Sequence, residues 1–110
     1  MRRMVHYRRT RVPGGCYFFT VTLRDRRSDM LLRHGDALRA AIVELQQKLP
    51  VRIDAMVILP EHLHALWTLP PDDHDYSRRW QFLKAGFTRR LRKRGVNATC
   101  NRRGEYRIWQ

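Results

Sequence analysis

Acidic residues are scarce in this chain: 10 Asp and Glu stand against 23 Lys and Arg in 110 residues, a formal net charge of +13. That imbalance excludes the near-neutral surface of an ordinary cytosolic enzyme and makes a polyanion the first partner to expect. Cysteine is nearly absent. Cys16 and Cys100 form no C-x-x-C pair, which excludes a disulfide scaffold, argues against cysteine-held structural zinc and fits a reducing cytoplasm. Long apolar runs are missing too. The longest, Ala55 to Pro60, falls far short of the roughly 20 residues that cross a bilayer, so no membrane partner is expected. The positive start from Met1 to Arg9 has no apolar stretch behind it, so secretion is not expected. Repeats and low-complexity tracts are absent. What remains is 13.3 kDa with 43% hydrophobic residues, enough for one real core and too little for two domains.

Residues 1–15 read as a basic arm. Arg2, Arg3, Arg8, Arg9 and Arg11 occur with no acidic residue, and Pro13-Gly14-Gly15 breaks any regular element. Residues 16–110 read as the folded domain. From Cys16 to Leu23, Tyr17, Phe19, Val21 and Leu23 alternate with Phe18, Thr20 and Thr22, the period of a strand. A charged loop, Arg24 to Asp29, leads to a helix whose face is Leu38, Ala41, Ile42, Leu45 and Leu49, ended by Pro50. The period then returns to two, with Val51, Ile53, Ala55, Val57 and Leu59 on one side and Arg52, Asp54, Met56 and Ile58 on the other. After the break at Pro60-Glu61, His62 to Leu69 should return antiparallel as the second arm of a hairpin. A second helix is expected from the cap candidates Asp75 to Ser77, with the stripe Tyr76, Trp80, Leu83, Phe87 and Leu91, until Gly95 offers a left-handed stop. A turn at Arg103-Gly104 precedes a short last strand, Glu105 to Trp109. The order βαββαβ predicts an α+β, ferredoxin-like sandwich: an antiparallel sheet with two helices on one face and the other face open.

Two constellations could carry chemistry. The second helix gathers Arg78, Arg79, Lys84, Arg89, Arg90, Arg92, Lys93 and Arg94 with no carboxylate in the segment. Self-repulsion of that kind favours an external anion, nucleic acid above all, over a merely solvated face. Tyr7, Tyr17, Tyr76, Trp67 and Trp80 could stack on unpaired bases, although spacing gives most of them to the core. His62 and His64, two apart on a strand, should project from one face with Cβ atoms about 6.5–7 Å apart. Leu63 then points the other way with Ala65, Trp67 and Leu69. Two imidazoles would leave most positions of an octahedral divalent ion to phosphate oxygens and water; Mn²⁺ suits imidazole better than Mg²⁺. On spacing alone, a single His-x-His pair also fits two histidines on a half-exposed strand. Glu61 is expected to point opposite His62 as a solvated turn residue, and His6, His34 and His74 look incidental.

Several stretches together resemble a known family: Val12-Pro13-Gly14-Gly15 before Tyr17-Phe18-Phe19-Thr20-Val21; Asp25-Arg26-Arg27-Ser28; and Leu59-Pro60-Glu61-His62-Leu63-His64-Ala65-Leu66-Trp67-Thr68-Leu69-Pro70. Ser77-Arg78-Arg79-Trp80, Lys84-x-x-Phe87, Arg89-Arg90-Leu91 and the ending Ile108-Trp109-Gln110 continue the likeness. The chain resembles the REP-associated tyrosine transposases, single-tyrosine HUH enzymes. The resemblance implies metal-dependent cutting and rejoining of single-stranded DNA at hairpins of repetitive extragenic palindromes, in a bacterial, nucleoid-associated setting without a nucleotide cofactor. His62-Leu63-His64 would be the metal-binding HUH motif, with Mg²⁺ or Mn²⁺, and the basic arm would read bases beside the hairpin. In the implied mechanism a tyrosine hydroxyl attacks the scissile phosphate and a 5′-phosphotyrosine conserves the bond energy for rejoining. Family members carry the nucleophile on a helix beyond the Ile-Trp-Gln segment. Tyr7, Tyr17, Tyr76 and Tyr106 do not match it, so no catalytic nucleophile is assigned. The expectation is a C-terminally truncated transposase that binds DNA and metal but cleaves poorly or not at all. The alternative is a non-catalytic ferredoxin-like module that grips RNA or DNA without metal. A water-activating nuclease would need more acidic ligands than this face offers.

Overall fold

The alternation around Phe19 becomes β1 (Cys16–Thr22), and that around Ala65 becomes β3 (His62–Thr68). The two pair antiparallel, with Phe18 opposite Leu66, Thr20 opposite His64 and Thr22 opposite His62. Because successive side chains of a strand leave opposite faces, Tyr17, Phe19 and Val21 turn to the same side as Leu63, Ala65 and Trp67, all of them buried. In this computed structural model, residues 12–96 and 108–110 are described.

β2 (Arg52–Ile58) pairs antiparallel with the other edge of β3, so the sheet order is β1-β3-β2. Here the expected alternation fails part-way. A register shift between Ile53 and Ala55 inserts an extra residue, and such a bulge reverses the facing of everything beyond it. Ile53 is opposite Trp67 on the helix side; past the bulge Met56 and Ile58 hold that side, opposite Ala65 and Leu63. Ala55 and Val57, expected to share a face with Ile53, lie exposed on the open face instead. The bulged Asp54 accepts from Thr68 Oγ1 at 2.6 Å and Arg52 Nε at 2.7 Å, which gives the distortion polar partners.

The described residues hold three helices, two between β1 and β2 and one after β3. A single turn, α1 (Met30–Arg33), was not anticipated; it seats Leu31 fully in the core before the chain restarts as α2 (Gly35–Lys48). α2 buries Ala37, Leu38, Ala41 and Leu45, and Leu49 packs at the core's rim. α3 (Tyr76–Lys93) starts where expected: the Asp75 carboxylate accepts from the Arg78 backbone N–H at 3.0 Å, an N-cap. It stops at Gly95, whose φ of +74° is the left-handed conformation that glycine adopts without a Cβ clash. Gly14, at φ +73°, lies against Pro71 and donates to Asp73 O at 3.0 Å, which ties the start of the domain to the turn before α3.

The helices cover one face of the sheet. Trp67 of the sheet stacks on Trp80 of α3 with ring centroids 4.1 Å apart and an 8° interplanar angle, and Phe19 meets both rings edge-on. Along the free edge of β1, Trp109 bridges antiparallel to Leu23, Arg24 N–H donates to Ile108 O and Gln110 N–H to Thr22 O. That is the position of a fourth strand in a ferredoxin-like α+β sandwich. The rest of the expected last strand, residues 105–107, lies outside the described residues, as does the basic arm with Arg2, Arg3, Arg8, Arg9 and Arg11. Among the described residues no helix is long and apolar enough to cross a membrane.

Candidate metal and nucleic-acid site

His62 and His64 leave β3 on the open face, because Leu63 and Ala65 between and after them are held at 0–1% exposure against the helices. Their rings stand 5.0 Å apart, centroid to centroid, and nearly perpendicular at 84°. Each is anchored through Nδ1. The His62 Nδ1 lies 3.0 Å from Glu61 Oε1, and the His64 Nδ1 lies 3.0 Å from the Thr20 hydroxyl on the neighbouring strand. A hydrogen bond at one ring nitrogen restrains the ring's orientation and leaves Nε2 as the candidate ligand atom of each imidazole. Phe18 adds a ring contact to His64, with centroids 5.6 Å apart and planes at 16°. The donor set therefore fits a borderline divalent cation bound through two imidazole nitrogens.

Glu61 departs from the expectation of a solvated turn residue pointing away. The turn after Pro60 interrupts the pleat, and the carboxylate swings to His62, with only 15% of its side chain exposed. Its other oxygen takes Arg26 Nε at 3.4 Å. The His62 ring foremost, with the residue's own backbone N–H and Arg26 behind it, holds the Glu61 carboxyl below the usual carboxylate range. Among the described residues no group of three or more His, Cys, Asp and Glu side chains could hold a metal ion. Among the described residues, the two histidines are thus the ligands of imidazole or carboxylate type that this face offers.

No family model matches the chain. A REP-associated tyrosine transposase of Escherichia coli K12 is 48% identical over 85 residues, which covers 77% of this chain and 52% of that protein. A putative REP-associated tyrosine transposase of Haemophilus influenzae Rd is 38% identical over 109 residues, 97% of this chain and 62% of that protein. A solved REP-associated tyrosine transposase bound to a REP hairpin superimposes with a TM-score of 0.79 at 42% identity, over 97% of this chain and 58% of that one. The chain belongs to the REP-associated tyrosine transposase family. It spans between half and two thirds of the length of the relatives it matches.

Against that family background, the cations expected to bind DNA separate into groups. Arg79 is 2% exposed, and its guanidinium donates to Pro50 O, Asp75 O and Asp73 Oδ2 at 3.0–3.1 Å, so it clamps the start of α3 to the loops beside it rather than meeting a ligand. Arg89 and Arg90 both reach Glu44 of α2 at 3.0 Å, and Arg94 pairs with Asp36 at 2.7 Å. The helix judged to lack carboxylates borrows them from its neighbour. Lys84 is partly buried with its ammonium 5.8 Å from the Trp109 ring centre, and this loss of solvent pulls its pKa below the ordinary lysine value. Arg78, Arg92 and Lys93 remain exposed. All of them ride on α3, across the sheet from the histidines.

The loop Arg24 to Arg27 carries arginines that were not among the residues expected to bind DNA. It sits beside the histidine end of the sheet: Leu23 N–H donates to Glu61 O, and Arg26 meets the Glu61 carboxylate. Asp25 shapes it, accepting the Arg27 N–H at 3.0 Å through its side chain and the Ser28 N–H at 3.0 Å through its carbonyl, an Asx turn. The Arg27 side chain is 93% exposed and that of Arg26 68%.

Proposed function

We propose that this chain is the DNA- and metal-binding fold of a REP-associated tyrosine transposase, recognising a hairpin with an adjoining single strand and seating one phosphodiester at His62 and His64. The observation that carries this reading is the anchored pair itself: two imidazoles on an open sheet face with ring centroids 5.0 Å apart, each held through Nδ1, which leaves Nε2 as the atom to ligate. The relative solved on a REP hairpin supports hairpin DNA as the ligand class. His62 and His64 would hold Mg²⁺ or Mn²⁺, which supplies Lewis-acid polarisation of a phosphoryl oxygen when bound. The chain's own residues do the rest. Glu61 and Thr20 keep the rings oriented, Arg24, Arg26 and Arg27 neutralise backbone charge beside them, and Arg78, Arg92 and Lys93 engage the duplex part of the ligand across the edge of the sheet.

Neither described tyrosine is placed to attack that phosphodiester. Tyr17 and Tyr76 are 2% and 1% exposed on the helix side of the sheet, with the Tyr17 hydroxyl bonded to Val12 O at 3.0 Å. Neither can reach a phosphate on the histidine face. Tyr7 and Tyr106 lie outside the described residues. Fluorescence anisotropy on a REP-type hairpin with single-stranded flanks, over a range of salt, tests the assignment. Replacing Arg26 and Arg27 by Ala should lower the salt slope by about 2 and weaken binding uniformly across sequences. His62→Ala with His64→Ala should abolish only the Mn²⁺-dependent part. A denaturing gel after incubation with Mn²⁺ should show no covalent adduct, whereas a stoichiometric adduct, or a salt slope unchanged by the arginine substitutions, would overturn the reading.

A further inference from the structure

The open face is ordered in rows across the three strands. Thr20, His64 and Val57 form one row, and Phe18, Leu66 and Ala55 form the next. Of the five large hydrophobic residues that stand exposed among the described residues, two, Phe18 at 46% and Val57 at 54%, flank His64. The Phe18 ring lies nearly parallel to the His64 ring, and the smaller apolar side chains of Leu66 and Ala55 make a low floor beside it. A cation-capable imidazole pair thus adjoins an aromatic wall one row, about 6.5–7 Å, further along the strand. The ligand that presents an anion and a flat apolar ring one unit apart is a nucleotide. A chain of net charge +13 favours the polymer of such units.

We infer that Phe18 is a stacking platform for one unpaired base of the single-stranded DNA whose phosphate sits at His62 and His64, the base lying against the Phe18 ring over Leu66 and Ala55. This rests on the phosphate-seating role just proposed for the histidines. It assigns a strand path: the backbone enters by the Arg24 to Arg27 loop, crosses the histidine pair and delivers the next base to Phe18. Stacking on an aromatic ring tolerates every base because each has a π-face, so Phe18 would add affinity and hold the backbone in place without choosing a sequence.

The test is a double-mutant cycle with the 110-residue chain, Mn²⁺ and a fluorescent hairpin with single-stranded flanks, in which each flank nucleotide in turn is made abasic. Phe18→Ala should weaken binding of the intact flank by about 5- to 150-fold, the range for one base stacked on an aromatic ring. At one flank position the abasic DNA should bind wild type and Phe18→Ala equally, and Phe18→Trp should restore affinity for the intact base. A 2-aminopurine at that position should be quenched by the wild-type chain and released by Phe18→Ala. If Phe18 only props the His64 ring, Phe18→Ala would lower affinity for intact and abasic DNA by the same factor, which overturns the inference. If Phe18→Ala changes nothing while His62→Ala with His64→Ala removes Mn²⁺-dependent binding, stacking fails and the histidine site stands. If neither variant matters, both readings fall.

Discussion

Arg79 was the one member of the basic helix for which DNA binding and a structural role make opposite demands. Replacing it with Met keeps the aliphatic stem that fills the core and removes the guanidinium. Three hydrogen bonds go, to Pro50 O, Asp75 O and Asp73 Oδ2, all at 3.0–3.1 Å. Breaking a fully buried pair costs about 3–5 kcal/mol, but the Asp73 side chain is 37% exposed and rehydrates, so its share is small. The two carbonyls lose a charged donor beside partly exposed backbone, about 1–2 kcal/mol each. The sum is about 2–4 kcal/mol, a large fraction of the stability of a small domain. Urea unfolding followed by circular dichroism should show the midpoint falling by about 1–2 M with the slope unchanged. Hairpin affinity, measured where the variant is still folded, should keep the wild-type salt slope. An unaltered midpoint together with a slope reduced by about 1 would refute the structural assignment and return Arg79 to the interface.

Two further outcomes follow from the same geometry. Asp73 is held below the ordinary aspartate range by the Asp75 backbone N–H first and the Arg79 guanidinium second. A carboxylate depressed in the folded state contributes stability that is complete above its unfolded pKa and lost as pH falls toward the folded one; Asp73→Asn should therefore flatten the acid limb of a stability-versus-pH curve, and an unchanged limb would show that this carboxylate is unperturbed. Glu61→Gln should reduce Mn²⁺ affinity by about 10- to 100-fold, as removal of a carboxylate behind a ligating histidine does, while isothermal titration showing no change would remove Glu61 from the site.

How legible this was depended on where the polar and apolar contrast lay. β1 and β3 alternate aromatic or aliphatic residues with Thr and His, so their facing, and with it the His62 and His64 side, could be read directly. β2 could not be phased, because Ala55, Met56, Val57 and Ile58 are all apolar and carry no mark of the bulge at Asp54. Glu61 was misplaced by extending strand alternation into a turn that does not obey it. The carboxylates that neutralise α3 were missed because Asp36 and Glu44 are brought to it only by the packing of α2. Arg79 did carry a signal: it stands three residues after Tyr76 and four before Leu83, on the buried stripe. Phe18 was visible as the out-of-phase aromatic of β1, on the side opposite Phe19.

The account stands on a cation held jointly by His62 and His64, and paramagnetic broadening of imidazole signals by Mn²⁺ measures that contact most directly. Substoichiometric Mn²⁺ added to the chain should broaden the ring resonances of His62 and His64 together, leave those of His34 and His74 sharp, and have no such effect on His64 once His62 is replaced by Ala. Equal broadening of the His34, His62, His64 and His74 rings, or sharp His62 and His64 signals while those of His34 and His74 disappear, would contradict it.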